Sequence, residues 1–141
     1  MYNHRARIYL HHTDVTGRLF FANQLTLVHE AREYFLEFLG FTQEDFLEHP
    51  VVTFPVVHAQ ADYKAGLKTA DVVDIAVRVD KIGETSVTFA FTLLKNGELV
   101  GTSRTVNVTV DKRTGKKMPI PSEWRARFQK GCKENPLSVT N

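Results

Sequence analysis

The sequence predicts an α+β fold in which a five-stranded antiparallel sheet wraps one long central helix. Residues 24–39 carry a helical period with an apolar arc roughly 200° wide, about twice the stripe that an ordinary surface helix needs. Five other segments alternate with period two, four of them in succession after the helix. The chain has 141 residues, which at roughly 100–200 residues per domain makes one domain. The only element large enough to cover so wide an arc is therefore the sheet itself.

In the first segment, residues 5–12, Ala6, Ile8 and Leu10 share one face and Arg5, Arg7, Tyr9 and His11 the other, so a strand is expected to end near Thr13. Asp14-Val15-Thr16-Gly17-Arg18 has turn chemistry. Asn23 reads as the N-cap of helix 24–39, and Gly40 stops that helix. The apolar arc holds Leu25, Leu27, Val28, Ala31, Tyr34, Phe35, Leu36, Phe38 and Leu39, and only Arg32 interrupts it. Residues 54–63 set Val57, Ala59, Ala61 and Tyr63 opposite Val56, His58, Gln60 and Asp62, and then Val73, Ile75, Val77 and Val79 alternate with Asp74, Arg78 and Asp80. Ile82-Gly83-Glu84 turns the chain into Val87, Phe89, Phe91 and Leu93. The hairpin pair Asn96-Gly97 leads into Val100, Thr102, Arg104, Val106, Val108 and Val110. Residues 111–117 form a basic turn, Pro119-Ile120-Pro121 is extended, and Ser122 caps a short helix to Lys130. Residues 1–130 are thus one domain and 131–141 a flexible tail.

Composition removes several functions. No apolar run approaches the ~18 residues of a membrane span. The 18 Lys and Arg are interspersed with 16 Asp and Glu for a net +2, which leaves no stripe for a nucleic-acid backbone. Met1-Tyr2-Asn3-His4-Arg5 has no apolar leader, and Cys132 alone forms no internal disulfide, so a cytoplasmic protein is expected. The neighbours His11 and His12, followed by Asp14, invite a metal, but adjacent strand residues point to opposite faces, and no metal is expected. There is no Gly-x-Ser-x-Gly elbow, and Cys132 is poorly placed as a nucleophile.

Asp14 is the informative acid. It stands in a turn about ten residues before a helix start, where unpaired N–H groups carry partial positive charge. On position alone it either closes an Asx-turn or sets a carboxylate beside an oxyanion site.

The segment HHTDVTGRLFFANQLTLVHEAREYF, residues 11–35, resembles the signature of the hot-dog-fold acyl-CoA thioesterases of the 4-hydroxybenzoyl-CoA type. Asp14, Gly17, Phe20-Phe21, Asn23 and Glu30-Ala31-Arg32 carry the match. FPVVHAQADYKAGLKTAD (54–71) resembles the family's second strand and following loop, and PIPSEWRARF (119–128) its closing helix. The helix swaddled by five strands, read from periodicity, is also the hot-dog architecture. Asn23-Gln24, His29-Glu30-Ala31 and Pro55-Val56-Val57-His58-Ala59 are most similar to the thioesterases that hydrolyse dihydroxynaphthoyl-CoA in quinone biosynthesis. The alternatives are a Tol-Pal-type thioesterase acting on other acyl-CoAs, or a hot-dog protein that binds an acyl or polyketide chain without cleaving it. Arg18 departs from the small or apolar residue common after the motif glycine, and Leu25 from an aromatic.

The resemblance implies that the thioester carbonyl accepts the Phe21 backbone N–H while Asp14 attacks it or activates a water. Glu30 is either an orienting group or a solvated helix acid, and His58 either meets substrate or is solvated at a strand edge. His12, in phase with Leu10, reads as a core-edge histidine. Gly17, Arg18, Phe20, Asn23, Lys64 and Lys68 are the candidate substrate-binding residues, the lysines for coenzyme A phosphates. Coenzyme A belongs to the substrate and no separate cofactor is expected. A homodimer, pairing further into a homotetramer with active sites at the subunit interface, is implied.

Overall fold

The computed structural model describes residues 2–132; the expected flexible tail lies outside the described residues from 133 onward. The chain runs through β1 (Tyr2–Arg7), a 3-10 turn (Leu10–His12), α1 (Asn23–Phe38), α2 (Gln43–Leu47), β2 (Val52–Thr53), β3 (Val56–Tyr63), β4 (Val72–Ile82), β5 (Ser86–Lys95), β6 (Glu98–Val108), β7 (Val110–Asp111) and α3 (Ser122–Lys130). Five strands form one antiparallel sheet in the order β1-β4-β5-β6-β3, and β2 pairs with β7. This is the hot-dog arrangement expected.

The cleanest alternation gives the centre of the sheet. Val73, Ile75, Val77 and Val79 of β4 and Val87, Phe89, Phe91 and Leu93 of β5 are all buried, facing Leu27, Val28, Ala31 and Phe35 of α1. Each such side chain contributes roughly 1.5–3 kcal/mol on burial. α3 closes the open end of the sheet: Trp124 and Phe128 enter an aromatic cluster with Phe41, Phe46 and Phe54.

Three expectations need correction. The first strand stops at Arg7, and the chain then coils into the 3-10 turn, so Leu10 is exposed rather than in the core, and Ile8 is the last inward residue. His11 and His12 therefore do not project to opposite faces; their rings lie 4.2 Å apart. Secondly, the covered side of α1 is narrower than the apolar arc: Gln24, Leu27, Val28, Ala31, Arg32, Phe35 and Leu36 are buried, whereas Tyr34 and Phe38 are exposed. A sheet on one side leaves them to stack on His4 and Tyr2 at the β1 edge. Thirdly, the β6 face toward the helix is the polar one. Ser103, Thr105 and Asn107 point inward, opposite Phe91, Phe89 and Val87, while Thr102, Arg104 and Val106 are half-exposed on the outer face.

Candidate active site

Residues 12–20 fold back on themselves as a small hairpin. Phe20 N–H donates to the His12 carbonyl at 2.9 Å, Thr13 and Leu19 form a bridge, and Asp14 N–H donates to the Arg18 carbonyl at 3.0 Å. Gly17 makes the reversal at φ 77°, a conformation that L side chains rarely adopt. Asp14 does close an Asx-turn: its Oδ1 accepts the Thr16 N–H at 2.8 Å and the Thr16 hydroxyl. These bonds hold the Asp14 carboxyl below its ordinary pKa, so it is ionised at neutral pH. Oδ2 accepts no hydrogen bond among the described residues, and the side chain is exposed. The two readings of Asp14 are therefore compatible, with one oxygen fixing the rotamer and the other facing out.

The helix start follows directly. Asn23, Gln24 and Leu25 N–H groups reach back to the carbonyls of Phe20, Phe21 and Ala22. Among the described residues, the Phe21 and Ala22 N–H groups find no acceptor in the chain, and they sit at the positive end of α1. Asn23 is not the N-cap. Ala22 holds that position without a side-chain bond, and Asn23 Nδ2 instead donates to the His12 carbonyl at 2.9 Å, tying the helix to the hairpin. The end of the 3-10 turn leaves that carbonyl available, and the amide takes it.

Two residues that sequence reasoning did not assign complete the support. Tyr63, the last residue of β3, donates its hydroxyl to the Phe21 carbonyl at 2.7 Å. Gln24 is fully buried and its amide donates to Asp62 O, Thr102 O and Ser103 Oγ, anchoring the first turn of α1 across β3 and β6. The signal for Gln24 was its phase with Leu27, Val28 and Ala31, a polar group on the buried side. Nothing in the alternation of β3 marked Tyr63. A second polar seam lies two turns on, where Arg32, 8% exposed, donates to Asn107 Oδ1 and pairs with His29 Nδ1 at 3.0 Å. Burial draws the Arg32 pKa down to about 10, so it remains a cation.

The other candidates divide. Arg18 lies across Gly66, where a Cβ would come within 2.6 Å of its Cδ, and its backbone bridges Lys68. Phe20 and Phe21 are exposed, their rings 4.8 Å apart. Lys64 lines, with Phe21, Gln24, Tyr63 and Gly66, a cavity of about 370 Å³ beside the helix start. Lys68 is engaged with Asp71 at 3.1 Å and so is held in the loop. Glu30 is exposed and lines a separate cavity of about 260 Å³ with His4, Arg7, His11 and His12. His58 is exposed on the edge strand β3, bonded to Gln60 Oε1 at 3.1 Å, and meets none of the other candidates within one chain. A cleft of about 340 Å³ lies further along α1, lined by Arg32, His29, Leu36, Phe41, Phe46 and Phe54. Among the described residues, no three His, Cys, Asp or Glu side chains are grouped to hold a metal ion.

The arrangement suits acyl transfer: an ionised carboxylate, and an unpaired N–H at a helix start where negative charge developing on a carbonyl oxygen is stabilised. Comparison with known proteins agrees. Residues 8–128 match the family model of the thioesterase-like superfamily. A 1,4-dihydroxy-2-naphthoyl-CoA hydrolase of Nostoc punctiforme is 32% identical over 111 residues, covering 79% of this chain and 75% of that protein. The crystal structure of a 1,4-dihydroxy-2-naphthoyl-CoA thioesterase from Synechocystis superposes with a TM-score of 0.84 at 21% identity, covering 90% of this chain and 94% of that one. A gentisyl-coenzyme A thioesterase gives 0.80 at 26% identity, over 91% and 99%.

Proposed function

The chain belongs to the thioesterase-like superfamily, and from that premise we propose that it hydrolyses an aromatic acyl-CoA, with 1,4-dihydroxy-2-naphthoyl-CoA of quinone biosynthesis as the preferred substrate. The observation that carries the reading is the ionised Asp14 carboxylate on a hairpin whose His12 carbonyl is bonded to Phe20 N–H and Asn23 Nδ2 on either side of the Phe21 N–H, which has no acceptor among the described residues. The thioester oxygen docks on that N–H, which is worth roughly 3 kcal/mol to the developing oxyanion. Asp14 either adds to the carbonyl carbon, so that the C–S bond breaks and water then cleaves the acyl–Asp14 anhydride, or takes the proton of a water that adds to that carbon; in both routes the thiolate leaves and the free acid forms. Coenzyme A thiolate is a good leaving group, so one carboxylate suffices without a strong general acid. Phe20 and Phe21 flank the acyl group, and Arg18 and Lys64 lie on the side that receives the coenzyme. Relatives that act on dihydroxynaphthoyl-CoA and gentisyl-CoA favour the aromatic acyl class.

The site is shared in this proposal. β3 is an edge strand with exposed Val56, Val57 and Tyr63, the kind of edge that natural sheets cover. Antiparallel pairing of two β3 edges about a twofold axis brings the Phe54 end of one copy beside the Tyr63 end of the other. The aromatic cleft of one copy then borders the catalytic hairpin of its partner, and His58 falls on the joint. No described helix is long and apolar enough to cross a membrane, and a cytoplasmic homodimer or homotetramer fits.

Thiol release from a panel of naphthoyl, benzoyl, short aliphatic and long aliphatic coenzyme A thioesters tests the function. Highest kcat/KM on the naphthoyl thioester supports it. Preference for aliphatic chains overturns the substrate, and tight binding without release overturns the enzyme.

A further inference from the structure

The His11-His12 pair is unused by the mechanism above, yet His12 is among the few buried polar residues of the chain. We propose that His12 is a positioning residue: its neutral imidazole pins the 3-10 turn that presents Asp14, and its protonation releases that turn.

The inference rests on the thioesterase reading only for its consequence in turnover. Tyr9 N–H donates to His12 Nδ1 at 2.9 Å. A backbone N–H only donates, so Nδ1 is unprotonated and the ring proton sits on Nε2. The same residue's N–H returns to the Tyr9 carbonyl at 2.9 Å, and its carbonyl accepts both Phe20 N–H and Asn23 Nδ2. One residue thus ties together the 3-10 turn, the hairpin bearing Asp14 two positions on, and the helix start bearing the Phe21 N–H. A proton on Nδ1 would face the Tyr9 N–H, turning an acceptor into a second donor. The groups around the ring are His4 and Arg7 of β1, Tyr9 and His11 of the turn, and Glu30 of α1. Burial and His11 hold the imidazole below its ordinary pKa and Glu30 opposes them, so the ring is neutral at pH 7.

The test has two arms. In nitrogen-resolved NMR of the whole chain, His12 should be the Nε2–H tautomer at pH 7.5. The Thr16, Gly17 and Phe20 amides should shift with the His12 midpoint, below pH 6.5. Amides that ignore the His12 titration overturn the proposal, and this arm stands whether or not any acyl-CoA is turned over. In the second arm, His12→Asn keeps an acceptor near Nδ1 but cannot titrate. Between pH 7.5 and 5, wild-type kcat should fall more than about fivefold and the variant's less than about twofold. An unchanged acid limb in the variant overturns the proposal. Absence of turnover at every pH refutes the thioesterase reading instead, leaving the NMR arm to decide the tether.

Discussion

Replacing Tyr63 with Phe keeps the ring and deletes one bond, the 2.7 Å donation to the Phe21 carbonyl. Among the described residues that carbonyl has one other backbone donor, Gln24 N–H at 3.4 Å, so the hydroxyl is its main restraint. A neutral hydrogen bond at a half-exposed residue is worth about 0.5–1 kcal/mol net. The loss of aim at the Phe21 N–H cannot exceed the strength of the tether, so at most about 1 kcal/mol of oxyanion stabilisation disappears. Since 1.36 kcal/mol is tenfold in rate, kcat should fall roughly two- to fivefold with KM little changed. The melting temperature should fall by about 2–4 °C for a chain of this size. Steady-state thiol release and a thermal melt measure both. Unchanged kcat with a lowered melting temperature would show that the bond exists but does not aim the N–H. A thousandfold loss would mean that Tyr63 acts on the substrate directly.

Asn107→Ala removes the acceptor of the buried Arg32 guanidinium and the donor to the Phe54 carbonyl, and should cost roughly 3 kcal/mol in urea unfolding. Thr105 Oγ1 is the buried side-chain atom without a partner among the described residues. Thr105→Val should accordingly be neutral or stabilising, by up to about 1 kcal/mol; a loss above that would show the hydroxyl to be satisfied. Burial lowers the pKa of His4, His12 and His29 below their ordinary 6.5. The unfolded chain then binds more protons, so stability is complete above about pH 6.5 and declines as pH falls below it. A urea midpoint lower at pH 5 than at pH 7.5, with the same m-value, is the expected result.

The strands buried on one face were legible from the sequence because only burial on one side writes a clean period-two pattern: β4 and β5 appear as expected. The edge strand β3 is exposed on both faces, so its alternation carried no information about which face holds Tyr63. β6 misled for a different reason. Gln24 and Arg32 are polar on the buried side of α1, and Ser103 and Asn107 answer them, so the inward face of β6 is polar. Hydrophobicity alone assigns such a pairing to the surface. Asp14 and Gly17 were legible as turn residues because turn chemistry is local in sequence, whereas Phe21 entered only through the family resemblance. Asn23 was misread, and His11 and His12 were set on opposite faces, because the 3-10 turn interrupts a segment whose alternation reads as a continuous strand; His12 itself is buried, as a core-edge histidine is.

In the proposed reaction the Asp14 carboxylate does the chemistry and the Phe21 N–H holds the oxyanion. Asp14→Asn keeps an oxygen for the Thr16 amide and hydroxyl and so preserves the hairpin. Single-turnover release of thiol from 1,4-dihydroxy-2-naphthoyl-CoA by wild type and variant isolates that step. The variant should lose at least about a hundredfold in rate, near 2.7 kcal/mol, with an unchanged melting profile. Release within a few-fold of wild type would contradict it.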